Sequence, residues 1–268
     1  MDNGVDLETV DFLVPAEAPD VLERLPTLTR VAVVQVLSAG TDWIESRVPS
    51  QAILCSARGA RDGPVAEWVV GALLGATTEL LECARLDTWT GRSVTDLGGW
   101  TVLIVGMGSI GRRVEYHLAR FGTEVIGVAS RARDDLHGVD ELDALLPRAD
   151  AVVILAPLTD ATRGLVDARR LAAMRDGALL INAARGPVVD TEALVAEVTT
   201  GRLMAVLDVT DPEPLPDGHP LWSAPGVLSI TPHIAGDSPV GNARAAALAG
   251  DQLARWARGE KLRNIVPR

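Results

Sequence analysis

Two groups of residues in this chain could do chemistry. The first is Gly106-Met107-Gly108-Ser109-Ile110-Gly111, a Gly-x-Gly-x-x-Gly spacing. Glycines so placed let a backbone turn tightly and approach a pyrophosphate, whose charge then rests on the N–H groups of a helix N-terminus. The second is Arg185, Glu213 and His233. A guanidinium fork can grip a carboxylate, and an imidazole beside a carboxylate exchanges protons near neutral pH. Taken singly, each has a plain structural explanation: a tight turn, a surface arginine, a loop carboxylate, a histidine packed in a turn. Position in the fold has to decide.

Residues 101–105 (TVLIV) form an apolar strand pattern and 109–121 a helical one, so the glycine motif falls at a strand-to-helix junction, the context that gives it meaning. Gly106, Gly108, Ser109, Ile110 and Gly111 are thus expected to cradle a dinucleotide. The next strand, 124–128, runs into Ala129-Ser130-Arg131-Ala132-Arg133, with no acid before Asp134. An NAD-selecting site usually has a carboxylate there for the ribose hydroxyls. Ser130, Arg131 and Arg133 instead suit a 2′-phosphate, which puts NADP ahead of NAD; a solvated basic turn is the alternative.

Strand patterns recur at 151–155, 177–181, 203–207 and 227–230, with helical stretches at 168–174, 191–198 and 241–258. This alternation predicts a parallel sheet with crossover helices. Arg185, Glu213 and His233 each follow a strand, on the edge where open α/β sheets bind ligands. The first part is less regular: strands at 11–14, 31–37 and 52–55, a short helix at 20–25, and a long apolar helix opened by Pro64 and continuing through Leu81.

Composition removes several classes. The formal net charge is −11 with no basic cluster, which argues against a nucleic-acid partner. Lys261 is the one lysine, so Schiff-base chemistry is not expected. Cys55 and Cys83 form no CxxC, and no spacing points to a metal. The N-terminus, with Asp2, Asp6, Glu8 and Asp11, lacks a signal-peptide pattern, and Glu67 and Glu79 interrupt the most apolar stretch, so a cytoplasmic protein without a membrane span is expected.

With these residues in hand, the chain resembles the D-isomer-specific 2-hydroxyacid dehydrogenase family from about residue 11 onward. The likeness rests on 35–42 (QVLSAGTD), 65–67 (VAE), the glycine motif, 155–159 (LAPLT), 179–190 (LLINAARGPVVD), 207–216 (LDVTDPEPLP), 219–222 (HPLW) and 231–233 (TPH), in that order. It implies an α/β fold: a doubly wound Rossmann sheet over 64–234, and a smaller flavodoxin-like substrate domain made from 1–63 and 235–268. That substrate domain is abbreviated at its start. It implies hydride transfer between NAD(P)H and a small 2-oxoacid such as glyoxylate or hydroxypyruvate, in a homodimer. His233 would be the acid/base, Glu213 its carboxylate partner and Arg185 the substrate-binding arginine. Ser38, Ala39 and Gly40 would offer backbone N–H groups to the substrate carboxylate. Pro157, Thr162 and Ala183 would meet the cofactor. Asp208 resembles the residue that contacts the nicotinamide carboxamide, with holding a loop as its other reading; Trp43, beside the 38–41 loop, is either a specificity residue or packing. Competing functions are a cofactor-sensing protein of corepressor type and phosphite or formate oxidation on the same fold. The formate enzymes carry glutamine where Glu213 stands.

Overall fold

The computed structural model describes residues 6–15 and 18–267; Asp2, part of the acidic N-terminal reading, lies outside them. The chain divides into two compact units: Met1–Asp62 with Asp237–Arg268, and Gly63–Gly236.

The larger unit is a seven-stranded, all-parallel sheet. Its strands are β4 (Thr101–Val105), β5 (Glu124–Ala129), β6 (His137–Gly138), β7 (Ala151–Ile154), β8 (Leu179–Asn182), β9 (Met204–Leu207) and β10 (Val227–Ile230), preceded in the chain by three strands of the smaller unit. They lie in the order β10-β9-β8-β7-β4-β5-β6. β7 and β8 are buried at every position, as strands covered on both faces must be, and this explains their unbroken runs of Val, Ile and Leu. One face packs Leu103, Ile126, Leu142, Leu171 and Leu194; the other packs Ile104, Val114, Leu118, Val69 and Leu73. The order reverses at β4, whose neighbours are β5 and β7, so the crevice beyond these strand ends is the topological switch point.

Helix α4 (Ser109–Leu118) follows β4; α5 (Leu142–Leu145), α6 (Ala168–Ala173) and α7 (Thr191–Thr199) serve later crossovers. The expected long helix at Pro64 is broken: α2 (Asp62–Thr77) stops, and α3 (Leu80–Cys83) starts after Glu79 at φ 58°. The Thr77 and Thr78 hydroxyls donate back to the Leu73 and Leu74 carbonyls, offering the helix end an alternative to continuation. The Leu81 side chain then folds onto Gly75, where an added Cβ would come within 2.9 Å of it. β6 and α5 are too short for periodicity to reveal.

The smaller unit holds a three-stranded parallel sheet, β1 (Phe12–Leu13), β2 (Val33–Gln35) and β3 (Ile53–Cys55), with α1 (Pro19–Arg24) and the C-terminal helix α8 (Pro239–Ala257). Its core is Leu25, Leu28, Val34, Ile44 and Leu54. α8 begins two residues before the expected Gly241, because Ser238 caps Gly241 N–H at 3.0 Å and Pro239 takes the first turn. Buried Gln252 donates to Gln35 Oε1 (3.2 Å) and to the Arg263 carbonyl (2.8 Å), tying α8 to β2. Among the described residues no helix is long and apolar enough to cross a membrane.

Candidate active site

The glycine motif lies at the switch point. Gly106 has φ 109°, a conformation costly for any residue with a Cβ, and an added Cβ would stand 2.5 Å from Ala156 N. The β4 turn therefore lies directly against the turn after β7. Gly111 is equally constrained, since a Cβ there would meet Gly106 O at 2.8 Å. Gly108 is the N-cap of α4, and Arg112 N–H, bonded to Gly108 O at 3.0 Å, is the first intrahelical donor. The N–H groups of Ser109, Ile110 and Gly111 precede it, which leaves the first turn able to receive an anion.

A cavity of about 390 Å³ opens beside this turn. Of the residues singled out from the sequence, Gly106, Gly108, Ser130, Arg133, Pro157 and Thr162 line it. Ser109, Ile110, Gly111, Arg131, Ala183 and Asp208 do not. Met107, inside the glycine motif, and Ala156, inside the 155–159 block, complete an apolar wall with Val139 and Leu165, whose spacing carries no signal. Thr162 Oγ1 donates to the Pro157 carbonyl at 2.6 Å and accepts from Thr159 N–H at 2.8 Å, closing the wall after β7. Glycine turn, helix N-terminus and apolar slot together fit a dinucleotide.

The basic turn after β5 closes through paired bonds between Arg133 and Leu136 (3.0 and 2.8 Å). Among the described residues neither the Arg131 nor the Arg133 guanidinium has an ion-pair partner. Of the two acids that follow, Asp135 is engaged elsewhere: Arg112 forks onto it at 2.8 and 2.9 Å. That guanidinium holds the Asp135 carboxyl down to about 2.

Farther along the same edge, His233 Nδ1 and Glu213 Oε1 lie 2.7 Å apart, both partly open to solvent. They line a second cavity of about 430 Å³ with Asp208, Thr210, Trp222 and Thr231. His233 has φ 56°, and its N–H bonds the Asp208 carbonyl at 2.8 Å. The buried Asp208 carboxylate accepts from Thr231 Oγ1 (2.5 Å), Ile234 N (2.9 Å) and Ala235 N (3.0 Å). Side chain and backbone of Asp208 thus brace the loop that carries His233. Trp43, the other residue with two readings, donates its indole N–H to Ser38 Oγ at 3.1 Å, which in turn donates to Gly40 O at 2.7 Å. In that loop the N–H groups of Ala39 and Gly40 make no hydrogen bond among the described residues.

Arg185 follows β8 on a turn clamped by buried Asn182, which accepts from Ala184 N (3.1 Å) and donates to Arg185 O (3.0 Å). The turn is pressed against the β9 loop: a Cβ on Gly186 would fall 2.0 Å from Thr210 O. Arg185 itself is not among the residues lining the second cavity. Asn182, Gly186 and Trp222 are the site-building residues missed from the sequence; Gly186 and Asn182 lie in the 179–190 block, where glycine and amide beside an arginine were the available cue. His219 caps the turn that carries Trp222, accepting from Leu221 N at 3.3 Å. No group of three potential metal ligands occurs among the described residues.

A family model, the NAD-binding domain of D-isomer-specific 2-hydroxyacid dehydrogenases, matches residues 71–235. The chain belongs to that family. It is 34% identical over 259 residues to a glyoxylate reductase of Thermofilum pendens, spanning 90% of this chain and 75% of the relative. A glyoxylate/hydroxypyruvate reductase B of Citrobacter koseri is 35% identical over 219 residues, 75% of this chain and 67% of the relative. Among solved structures, an NADPH-dependent glyoxylate/hydroxypyruvate reductase of Sinorhizobium meliloti, in complex with NADP and sulfate, superposes with a TM-score of 0.85 at 29% identity, covering 99% of this chain and 87% of that one. This 2-hydroxyacid dehydrogenase is accordingly an NAD(P)-dependent oxidoreductase on a Rossmann-like α/β fold.

Proposed function

We propose that this dehydrogenase reduces small 2-oxoacids of the glyoxylate and hydroxypyruvate type, with NADPH preferred over NADH. The observation that carries the reading is the 2.7 Å His233–Glu213 pair on the ligand-binding edge of the sheet. A nicotinamide cofactor held by the 106–111 turn and the cavity beside it would supply hydride to the carbonyl carbon. Negative charge then develops on the carbonyl oxygen, and His233, as imidazolium, donates a proton there from Nε2 while Glu213 orients the ring through Nδ1 and stabilises its charge. Arg185 binds the substrate carboxylate or ketone oxygen with its planar fork and polarises the carbonyl. Ser38, Ala39 and Gly40 present backbone N–H groups to the carboxylate. Asp208 acts chiefly by bracing the His233 loop.

The cofactor preference is supported by Ser130, Arg131 and Arg133 at the end of β5, with Asp135 held by Arg112. Residues 84–96 are exposed throughout, and Trp89 stands wholly in solvent, an arrangement that favours a homodimer covering this arm. The composition supports a cytoplasmic enzyme. The test is to mix purified protein with a panel of 2-oxoacids and follow NADPH and NADH consumption separately. Turnover with glyoxylate or hydroxypyruvate, faster with NADPH, is expected. Tight NADPH binding with no turnover on any 2-oxoacid would turn the reading to a cofactor sensor.

A further inference from the structure

We propose that Arg61 is a specificity-determining residue that fits this enzyme to 2-oxoacids bearing a second anionic group, a carboxylate or a phosphate, beyond the carbonyl. The proposal rests on the reading of the 38–40 loop as the carboxylate cradle. Arg61 leaves a turn that is fastened to that loop. Ala57 N–H donates to the Ser38 carbonyl at 2.8 Å, and Ala60 N–H closes the turn onto Ala57 O at 3.0 Å. Ala57 and Ala60 also pack with Leu37, the residue before Ser38. Arg61 is the next residue after this turn, on the segment fastened to the cradle loop.

Its side chain is unlike the chain's other half-buried arginines. Arg202 bonds Glu197, Asp176 and the Leu171 and Met174 carbonyls. Arg170 bonds Asp143 and the Leu165 carbonyl, and Arg255 bonds Asp251. Arg61 Nε is buried yet meets no acceptor among the described residues, and its guanidinium forms no ion pair there. A buried charged donor without a partner is costly, and such groups persist where a ligand brings the acceptor. Arginine suits carboxylate and phosphate equally, because its planar fork matches both. The chain's net charge of −11 would repel a doubly charged substrate, so a local cation is what admits one. Glyoxylate, with nothing beyond its carbonyl, would make no use of Arg61.

The experiment compares length-matched substrates with NADPH: oxaloacetate against 2-oxobutyrate for a second carboxylate, and phosphorylated hydroxypyruvate against hydroxypyruvate for a phosphate. In the wild type, at least one doubly charged member should exceed its singly charged match in kcat/KM by about tenfold or more, as one charge-assisted contact allows. The arm in which this happens names the group. Arg61→Ala should erase that ratio and Arg61→Lys restore part of it. NADPH affinity within about twofold of wild type would certify that each variant is folded; should Arg61→Ala fail this check, Arg61→Gln takes its place. A wild type without preference in either arm, or a ratio that survives the substitution, overturns the proposal. If the wild type reduces no 2-oxoacid, the reductase reading fails, and calorimetric titration of NADP-saturated protein decides about Arg61. Oxaloacetate or phosphorylated hydroxypyruvate binding that is lost in Arg61→Ala keeps the proposal; binding unaffected by it, or absent throughout, ends it.

Discussion

The two cavities on the edge of the large sheet are built by opposite means. The proposed dinucleotide cradle is made of backbone: Gly106 and Gly111 remove side chains so that turns and a helix N-terminus close on one another, with an added Cβ at either meeting atoms within 2.9 Å. The His233 cavity is made of side chains holding other side chains: Glu213 on the imidazole, Asp208 across the loop, Trp222 and Thr231 in the wall. A backbone-built site fails through shape and should lose affinity and stability together. A side-chain-built site fails through chemistry and can lose turnover while still binding.

The sharpest break of this contrast is Gly106→Ala. At φ 109°, with Ala156 N 2.5 Å from the new Cβ, the strain should reach about 3 kcal/mol, lowering the melting temperature by several degrees and NADPH affinity along with it. Thermal melts with and without NADPH check this, and wild-type behaviour in both would mean that the turn relaxes freely. Next comes Asp208→Ala, which strips acceptors from Ile234 N and Ala235 N. A misplaced His233 should cut kcat by about a hundredfold, with roughly 2 kcal/mol less stability, while the NADPH dissociation constant moves little. Large loss of NADPH affinity at constant kcat would instead favour the nicotinamide contact for Asp208. The smallest effect is expected from Arg133→Ala, which should narrow the NADPH-over-NADH preference by about tenfold, the worth of one charged hydrogen bond. An unchanged preference, measured by fluorescence titration with each cofactor, would leave the basic turn as a solvated surface feature.

Much of the fold is visible in the sequence because its strands are buried on both faces. Runs such as Val152-Val153-Ile154 and Leu179-Leu180-Ile181 admit few other readings once helical stretches separate them. The break after Thr77 was not visible, because Thr78 and Glu79 do not announce a left-handed residue as glycine would. The same logic divides the candidate site. Glycines and a charged triple stand out by residue type, so Gly106, Gly111, Glu213 and His233 could be picked from the chain alone. Trp222, Asn182, Val139 and Arg61 stand out only by where the fold places them or by what they do not touch, and only coordinates carry that information.

The proposed reduction depends on proton donation from His233 to the reacting oxygen. It is tested most directly by single-turnover oxidation of bound NADPH on mixing with glyoxylate, in wild type and His233→Ala. The proposed role predicts rapid oxidation in the wild type. The variant should bind NADPH with near wild-type affinity but oxidise it about a thousandfold more slowly, the usual loss on removing a general acid. Wild-type oxidation by the variant, or a matching collapse of NADPH binding, would contradict it.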